Sequence, residues 1–211
     1  CLREHHIAYE LGFRPVRDSD AARFGDLVHK GLEAWFKAAT GEDRLVAALS
    51  GMDAHVAEKV KGGAVEVDPF ELAKARILLT GYHARWADDN YEVLAVEVEF
   101  ATSLENPKTG AVSKTWTLGG KLDAIVRDTR DDRVLIVEHK TSSEDISFGS
   151  DYHRRLRMDG QVSAYFAGAR ALGFAPVGCL YDVIAKPGLR PLKANSRRSV
   201  DETPDEYAAR I

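Results

Sequence analysis

Cysteine is almost missing from this sequence. Cys1 and Cys179 are the two copies in 211 residues, and they form neither a CxxC pair nor a zinc-ligand spacing. That argues against a disulfide framework and favours a cytoplasmic setting. No apolar run approaches the roughly 20 residues needed to cross a bilayer, so no membrane partner is expected. The start of the chain carries no signal-peptide pattern. An excess of positive charge is also lacking. The net charge is −4 at pH 7, which by itself argues against a nucleic-acid partner. There is no nucleophile elbow and no phosphate-cradling glycine loop, which weakens the case for a small-molecule hydrolase. Internal repeats and low-complexity segments are absent too.

What is present suffices for one compact domain with its own core. The chain is 45% hydrophobic over 211 residues, enough to fold without disulfides or a structural metal. It begins at Cys1 rather than Met and stops inside an incipient helix near residues 205–211, so a piece of a longer chain is expected. Charge is unevenly spread. Residues 1–150 carry 19 Lys/Arg against 26 Asp/Glu, whereas residues 151–198 carry 9 against 3. The basic stretch includes Arg154, Arg155, Arg157, Lys186, Arg190, Lys193, Arg197 and Arg198. Such a patch can follow a phosphate backbone while the rest of the protein stays acidic, or it can be a solvated surface without a partner.

The first 90 residues read as helical. Phe24, Leu27, Val28, Leu32, Trp35, Phe36 and Ala39 form a 3.6-residue stripe, with Asp18 or Ser19 to cap its start and Gly41 to end it. A second helix covers residues 43–60, and Gly62-Gly63 breaks it. Asp68-Pro69 opens a third, carrying Leu72, Ala75, Leu79, Tyr82 and Trp86. The period then drops to two. Residues 93–100, 116–127 and 134–140 read as strands, with turn signals at 106–110 and at Asp131-Asp132, the last two strands forming a hairpin. A loop rich in Ser and Asp precedes a helix over 161–172, and residues 177–185 form a fourth strand.

Chemistry concentrates in three places. Asp123 lies 15 residues before Glu138, a spacing that suits neighbouring strands of one hairpin. Alternation puts Glu138 and Lys140 on one face and His139 on the other. Two converging carboxylates, with a backbone carbonyl such as that of His139, suit hard cations such as Mg²⁺ or Mn²⁺. An isolated E-x-K is ordinarily a solvated ion pair. Here Leu135, Ile136 and Val137 run into Glu138, and Leu122, Ala124 and Ile125 surround Asp123, so the charges sit in apolar strands where they need a partner or a metal. Second, Gly25 lies one helical turn before His29, whose imidazole can ligate a metal or touch a phosphate. Gly25 costs a helix roughly 1 kcal/mol relative to Ala, which suggests a packing or functional reason. Third, Gln161 and Tyr165 are one turn apart, a boundary pair or a polar pair that holds Lys140 or contacts DNA. Glu97 is a further carboxylate near the strands, and one of Glu97 and Glu99 is the polar face of an amphipathic strand.

Taken in order, Gly25-x-x-x-His29, Gly-Gly-Lys-Leu-Asp123, Glu138-His-Lys140 and Gln161-x-x-x-Tyr165 resemble the motif set of RecB-like nucleases of the PD-(D/E)XK superfamily. Cys1 resembles the cysteine that often opens such domains, and Arg23-Phe24-Gly25 and the segment 181–187 resemble the phage and bacterial exonuclease branch, which is related to CRISPR-associated RecB-like nucleases. The proline usual before the aspartate is Leu122 here. The resemblance implies a restriction-endonuclease-like α/β core of order αβββαβ, with a central mixed sheet flanked by helices and an extra N-terminal helical region. It implies one domain over 1–211, its helical part at 1–90, catalytic sheet and helix at 91–186, and a truncated C-terminal segment at 187–211. It further implies an Mg²⁺- or Mn²⁺-dependent deoxyribonuclease, with His29, Asp123, Glu138 and the His139 carbonyl as metal ligands and Lys140 as the catalytic lysine. Gln161, Tyr165, Arg154, Arg155, Lys186 and Arg190 would engage DNA, and a helicase or recombination protein is the partner expected. Relatives that hold an iron–sulfur cluster use four cysteines, so no cluster is expected here, and Cys179 reads as a small core residue. The alternative is a catalytically silent nucleic-acid-binding module of a larger complex.

Overall fold

The computed structural model describes residues 3, 6–13, 19–38, 42–63, 67–106 and 108–211. Cys1, Asp18, Ala39 and Gly41 lie outside the described residues, as does the side chain of Arg157. After a π-helical turn at His6–Glu10 come three helices of 18 residues each: α1 (Asp20–Lys37), α2 (Arg44–Lys61) and α3 (Pro69–Trp86). Each start is capped as its sequence requires. Ser19 accepts from the Ala22 N–H, Asp43 from those of Leu45 and Val46, and Asp68 from that of Phe70 with Pro69 at the first helical position. Small residues let α1 approach both neighbours. A side chain on Gly31 would collide with Leu79 of α3, and one on Gly51 of α2 with Ala34. Phe24, Leu27, Val28, Leu32, Met52, Ala75 and Leu79 fill the space between them.

Four strands follow: β1 (Tyr91–Glu105), β2 (Val112–Asp128), β3 (Val134–Ser142) and β4 (Gly178–Ala185). They lie in chain order, β1, β2 and β3 antiparallel and β4 parallel to β3. Alternation along β3 sorts the two layers. Leu135 and Val137 pack with Trp35 and Phe36 of α1, whereas Ile136 packs with Tyr165 and Ala169 of α5 (Gly160–Ala171) on the other side. The result is a mixed four-stranded sheet flanked by helices, as expected. Two details differ from the sequence reading. The β1–β2 hairpin is longer at both strands because its distal part pairs only with itself and carries no apolar period. The loop after β3 contains a short helix, α4 (Asp151–Arg155), started by the Ser150 cap.

The C-terminal segment folds back onto α3. Helix α6 (Pro204–Arg210) opens on a capping box between Thr203 and Glu206, and buries Tyr207 against Phe70 at 5.6 Å between ring centroids. Arg210 grips the buried Glu202 carboxylate through two hydrogen bonds of 2.7 and 2.8 Å. That guanidinium pulls the Glu202 carboxyl down to about 2. Between its ordinary value near 4.5 and about 2, the unfolded chain therefore binds the extra proton. The stability contributed is complete above that window and fades as pH falls through it. Glu202→Gln is expected to lower stability at pH 7 and to flatten the acid limb below pH 4.5 in urea unfolding. An unchanged acid limb would remove this pair as the anchor of α6.

Candidate active site

Sheet topology makes the site. β2 and β3 pair over four positions only, from Arg127↔Val134 to Ala124↔Val137. Beyond that point β2 stays with β1 and β3 with β4, so the sheet forks. The next register position places Asp123 opposite Glu138, one on each side of the fork. Across the opening the His139 N–H donates to Asp123 Oδ2 at 2.8 Å.

Glu138 is 1% exposed and forms an ion pair with Lys140, yet its second oxygen, Oε2, is buried with no hydrogen-bond partner among the described residues. Burial, and then the charge of Asp123, push the Glu138 carboxyl upward. His29 reaches the same place from α1, with Nδ1 3.7 Å from Asp123 Oδ2. Burial holds its imidazole below the ordinary value and so favours the neutral form, against the opposing pull of Asp123. At Gly25 an added Cβ would meet Thr141 Oγ1 at 3.5 Å, an ordinary contact. Steric need therefore does not account for that glycine. The His139 ring turns to the other face, 3.1 Å from Asp182 and packed by Phe36 and Tyr82. Its Nε2 is buried with no hydrogen-bond partner among the described residues.

Glu97 stands beside Asp123. The register between Val96↔Ala124 and Val98↔Leu122 puts the two opposite each other, and Glu97 pairs with Lys121. Its φ of +54° is a left-handed conformation, uncommon outside glycine and more so within a strand. The hairpin changes sides here. Val96 and Ala124 pack with α1 residues, whereas Phe100 and Leu122 pack with Tyr165 of α5. Glu99 is the exposed member of the pair, and a strand read by simple alternation cannot foresee the switch.

Gln161 Nε2 donates to Tyr165 Oη at 2.6 Å, and burial followed by the nearby Glu138 charge raises the Tyr165 hydroxyl. The Tyr165 hydroxyl accepts from Gln161 and is itself directed at the Glu138 carboxylate, rather than at Lys140. The basic stretch is largely neutralised. Arg154 pairs with Asp151, Arg155 with Glu144, Lys193 with Asp201 and Arg198 with Glu206. Lys186 lies over the Phe24 ring and donates to the Ala21 carbonyl. Arg190 and Arg197 are exposed, with no ion pair given by the described residues. The fold-back of residues 199–211, invisible in a linear charge count, supplies much of this acid. Cys179 is a half-buried residue of β4 whose thiol is pushed up to about 11, by burial and then by Glu138.

Among the described residues, no group of three His, Cys, Asp or Glu side chains is arranged to hold a metal ion. The nearest approach to one is the opposed pair of carboxylates, Asp123 and Glu138, with His29 Nδ1 3.7 Å from Asp123 Oδ2. The unpartnered Oε2 and the mutual repulsion of the carboxylates are what a divalent cation would relieve. No described helix is long and apolar enough to cross a membrane.

A mixed sheet that forks at an Asp/Glu pair followed by Lys defines a class. The PD-(D/E)XK nuclease superfamily matches residues 1–210, and the chain belongs to it. Its members are mostly nucleases and typically use divalent metal ions. No curated protein matches the chain. A solved structure described as the crystal structure of SSO0001 is 17% identical, with a TM-score of 0.24, the match covering 79% of this chain. This chain spans 65% of that one.

Proposed function

We propose that the chain is a metal-dependent deoxyribonuclease that hydrolyses phosphodiester bonds at the β2–β3 fork, acting from DNA ends in processing, repair or recombination. The observation that carries this reading is the buried, unpartnered Glu138 Oε2 opposite Asp123, beside the Lys140 ammonium. Asp123, Glu138 and the His139 carbonyl would hold Mg²⁺ or Mn²⁺, with His29 as a further ligand. Once bound, such an ion activates water and stabilises charge on the phosphate. Lys140 shares the Glu138 carboxylate, so its ammonium is fixed where it can orient that water and offset phosphate charge. Tyr165 and Gln161 brace the far side of Glu138. The β2–β3 fork is open at one end of the sheet, which suits a strand end. A helicase or recombination protein would deliver such ends.

The test is cleavage of end-labelled DNA with Mg²⁺, Mn²⁺ or EDTA, alongside His29→Ala. Digestion should need metal and leave the ends first, and His29→Ala should raise the metal concentration required by 10–100-fold. Digestion that persists in EDTA would remove the metal from the reading, and internal cuts would overturn the exonuclease part.

A further inference from the structure

We infer that the cavity between α1, α3 and the sheet binds a small organic cation of the substituted-ammonium type; this does not rest on the nuclease reading above. The cavity measures ≈ 300 Å³. It lies on the α1 side of the sheet, the face of β3 opposite to Glu138. Four rings line it, those of Phe36, Tyr82, Trp86 and Tyr91, and two carboxylates, Asp89 and Asp182. The sheet adds apolar surface at Val126, Val137 and Leu180. An aromatic and aliphatic hollow with a few placed polar groups is the usual make-up of a small-molecule site.

Charge decides the class of occupant. None of the lining residues is Lys, Arg or His, so the cavity turns away phosphates and carboxylates, DNA included. Asp89 is held at 3.5 Å by Arg44, which does not line the cavity. The same guanidinium lies 4.4 Å over the Trp35 ring. One organic cation is thus already held beside the cavity by a ring and a carboxylate together. Asp182 has no such partner. It lies 3.1 Å from His139 Nδ1 and faces the Tyr82 hydroxyl, and no Lys or Arg among the described residues pairs with it. Its side chain is 24% exposed, so a ligand can reach it.

Ring and carboxylate together favour a compact, weakly hydrated cation. A ring draws a cation to its face within about 6 Å of the centroid, most strongly when water is displaced. Arg85 already lies over Trp86 at 5.0 Å, but it does not line the cavity. An alkylated ammonium also buries its carbons against Val126, Val137 and Leu180, which a metal ion cannot do.

The experiment titrates the chain in EDTA, by calorimetry, with choline and with dimethylbutanol, the uncharged isostere in which carbon replaces the choline nitrogen. Sodium chloride holds the ionic strength constant. Choline should bind about 30-fold more tightly than the alcohol, the scale of one desolvated cation–ring contact. Asp182→Asn and Trp86→Leu should each weaken choline by about tenfold. The alcohol, which carries no charge, should hardly respond to Asp182→Asn. Equal binding of choline and the alcohol would make the cavity a plain apolar hollow and overturn the inference. So would the absence of choline binding at about 10 mM, or choline binding that neither folded variant weakens. The comparison of the two ligands needs no variant, so a misfolded substitution leaves the test intact. Neither metal nor DNA is present, so the result stands apart from whether the fork cleaves.

Discussion

Asp123→Asn is expected to leave a folded protein at least as stable as the parent in EDTA, with cleavage reduced by at least about 100-fold, the scale of losing one preorganised electrostatic group. The Asp123 carboxylate repels the buried Glu138, and this raises the Glu138 carboxyl. An amide of the same shape ends that repulsion and still accepts the His139 N–H that spans the fork. Lys140→Met should abolish cleavage with the opposite effect on stability. It leaves Glu138, 1% exposed, without its cation. Stranding a buried charge costs about 3–5 kcal/mol, and the 31% exposure of the Lys140 side chain makes that an upper bound. Thermal unfolding in EDTA, paired with cleavage assays in Mn²⁺, reads both effects. Cleavage by Asp123→Asn within tenfold of wild type would take Asp123 out of the site.

Gly168→Ala is expected to destabilise the protein although it lies in the middle of helix α5. Phe100 sits in a slot between two glycines. A Cβ on Gly168 would lie 2.4 Å from the ring's Cγ, and one on Gly120 would lie 2.8 Å from its Cε1 and Cζ. Alanine gains about 1 kcal/mol of helix propensity over glycine. Overpacking against a rigid ring costs about 1–3 kcal/mol and occasionally more, so the clash should prevail. The ring rests edge-on against Tyr165 at 6.2 Å, and displacing it disturbs the side of the sheet that carries Glu138. Melting should drop by a few degrees, and Phe100→Leu placed on top of Gly168→Ala should recover part of the loss. A double-mutant cycle measures this coupling. An unchanged or raised melting temperature for Gly168→Ala would show that the slot is looser than described.

Much of the architecture was legible because it is written in local rules. Caps at Ser19, Asp43 and Asp68, the switch of period after Trp86, and the apolar run into Glu138 are each decided within a few residues of chain. The Asp123–Glu138 pairing was also within reach, since a hairpin of known turn length sets its own register. Less legible was anything that depends on distant chain. Charge alone left the basic stretch as either a phosphate-binding patch or a solvated surface, because half of its acid partners, Asp201 and Glu206, come from a tail whose fold-back a linear charge count cannot see. Glu97 read as a further carboxylate near the strands, but its left-handed backbone was not foreseen, because such a residue inside a strand has no propensity signal.

By itself, the sequence determined the order and type of the elements and placed Asp123, Glu138 and Lys140 on neighbouring strands, because periodicity, capping and register act over short distances. Only the tertiary structure decided that β2 and β3 part at Asp123 and Glu138, and that His29 arrives there from α1. Those outcomes depend on how separate layers pack, where side-chain volumes at Gly31, Gly51 and Gly168 set the distances between elements far apart in the chain.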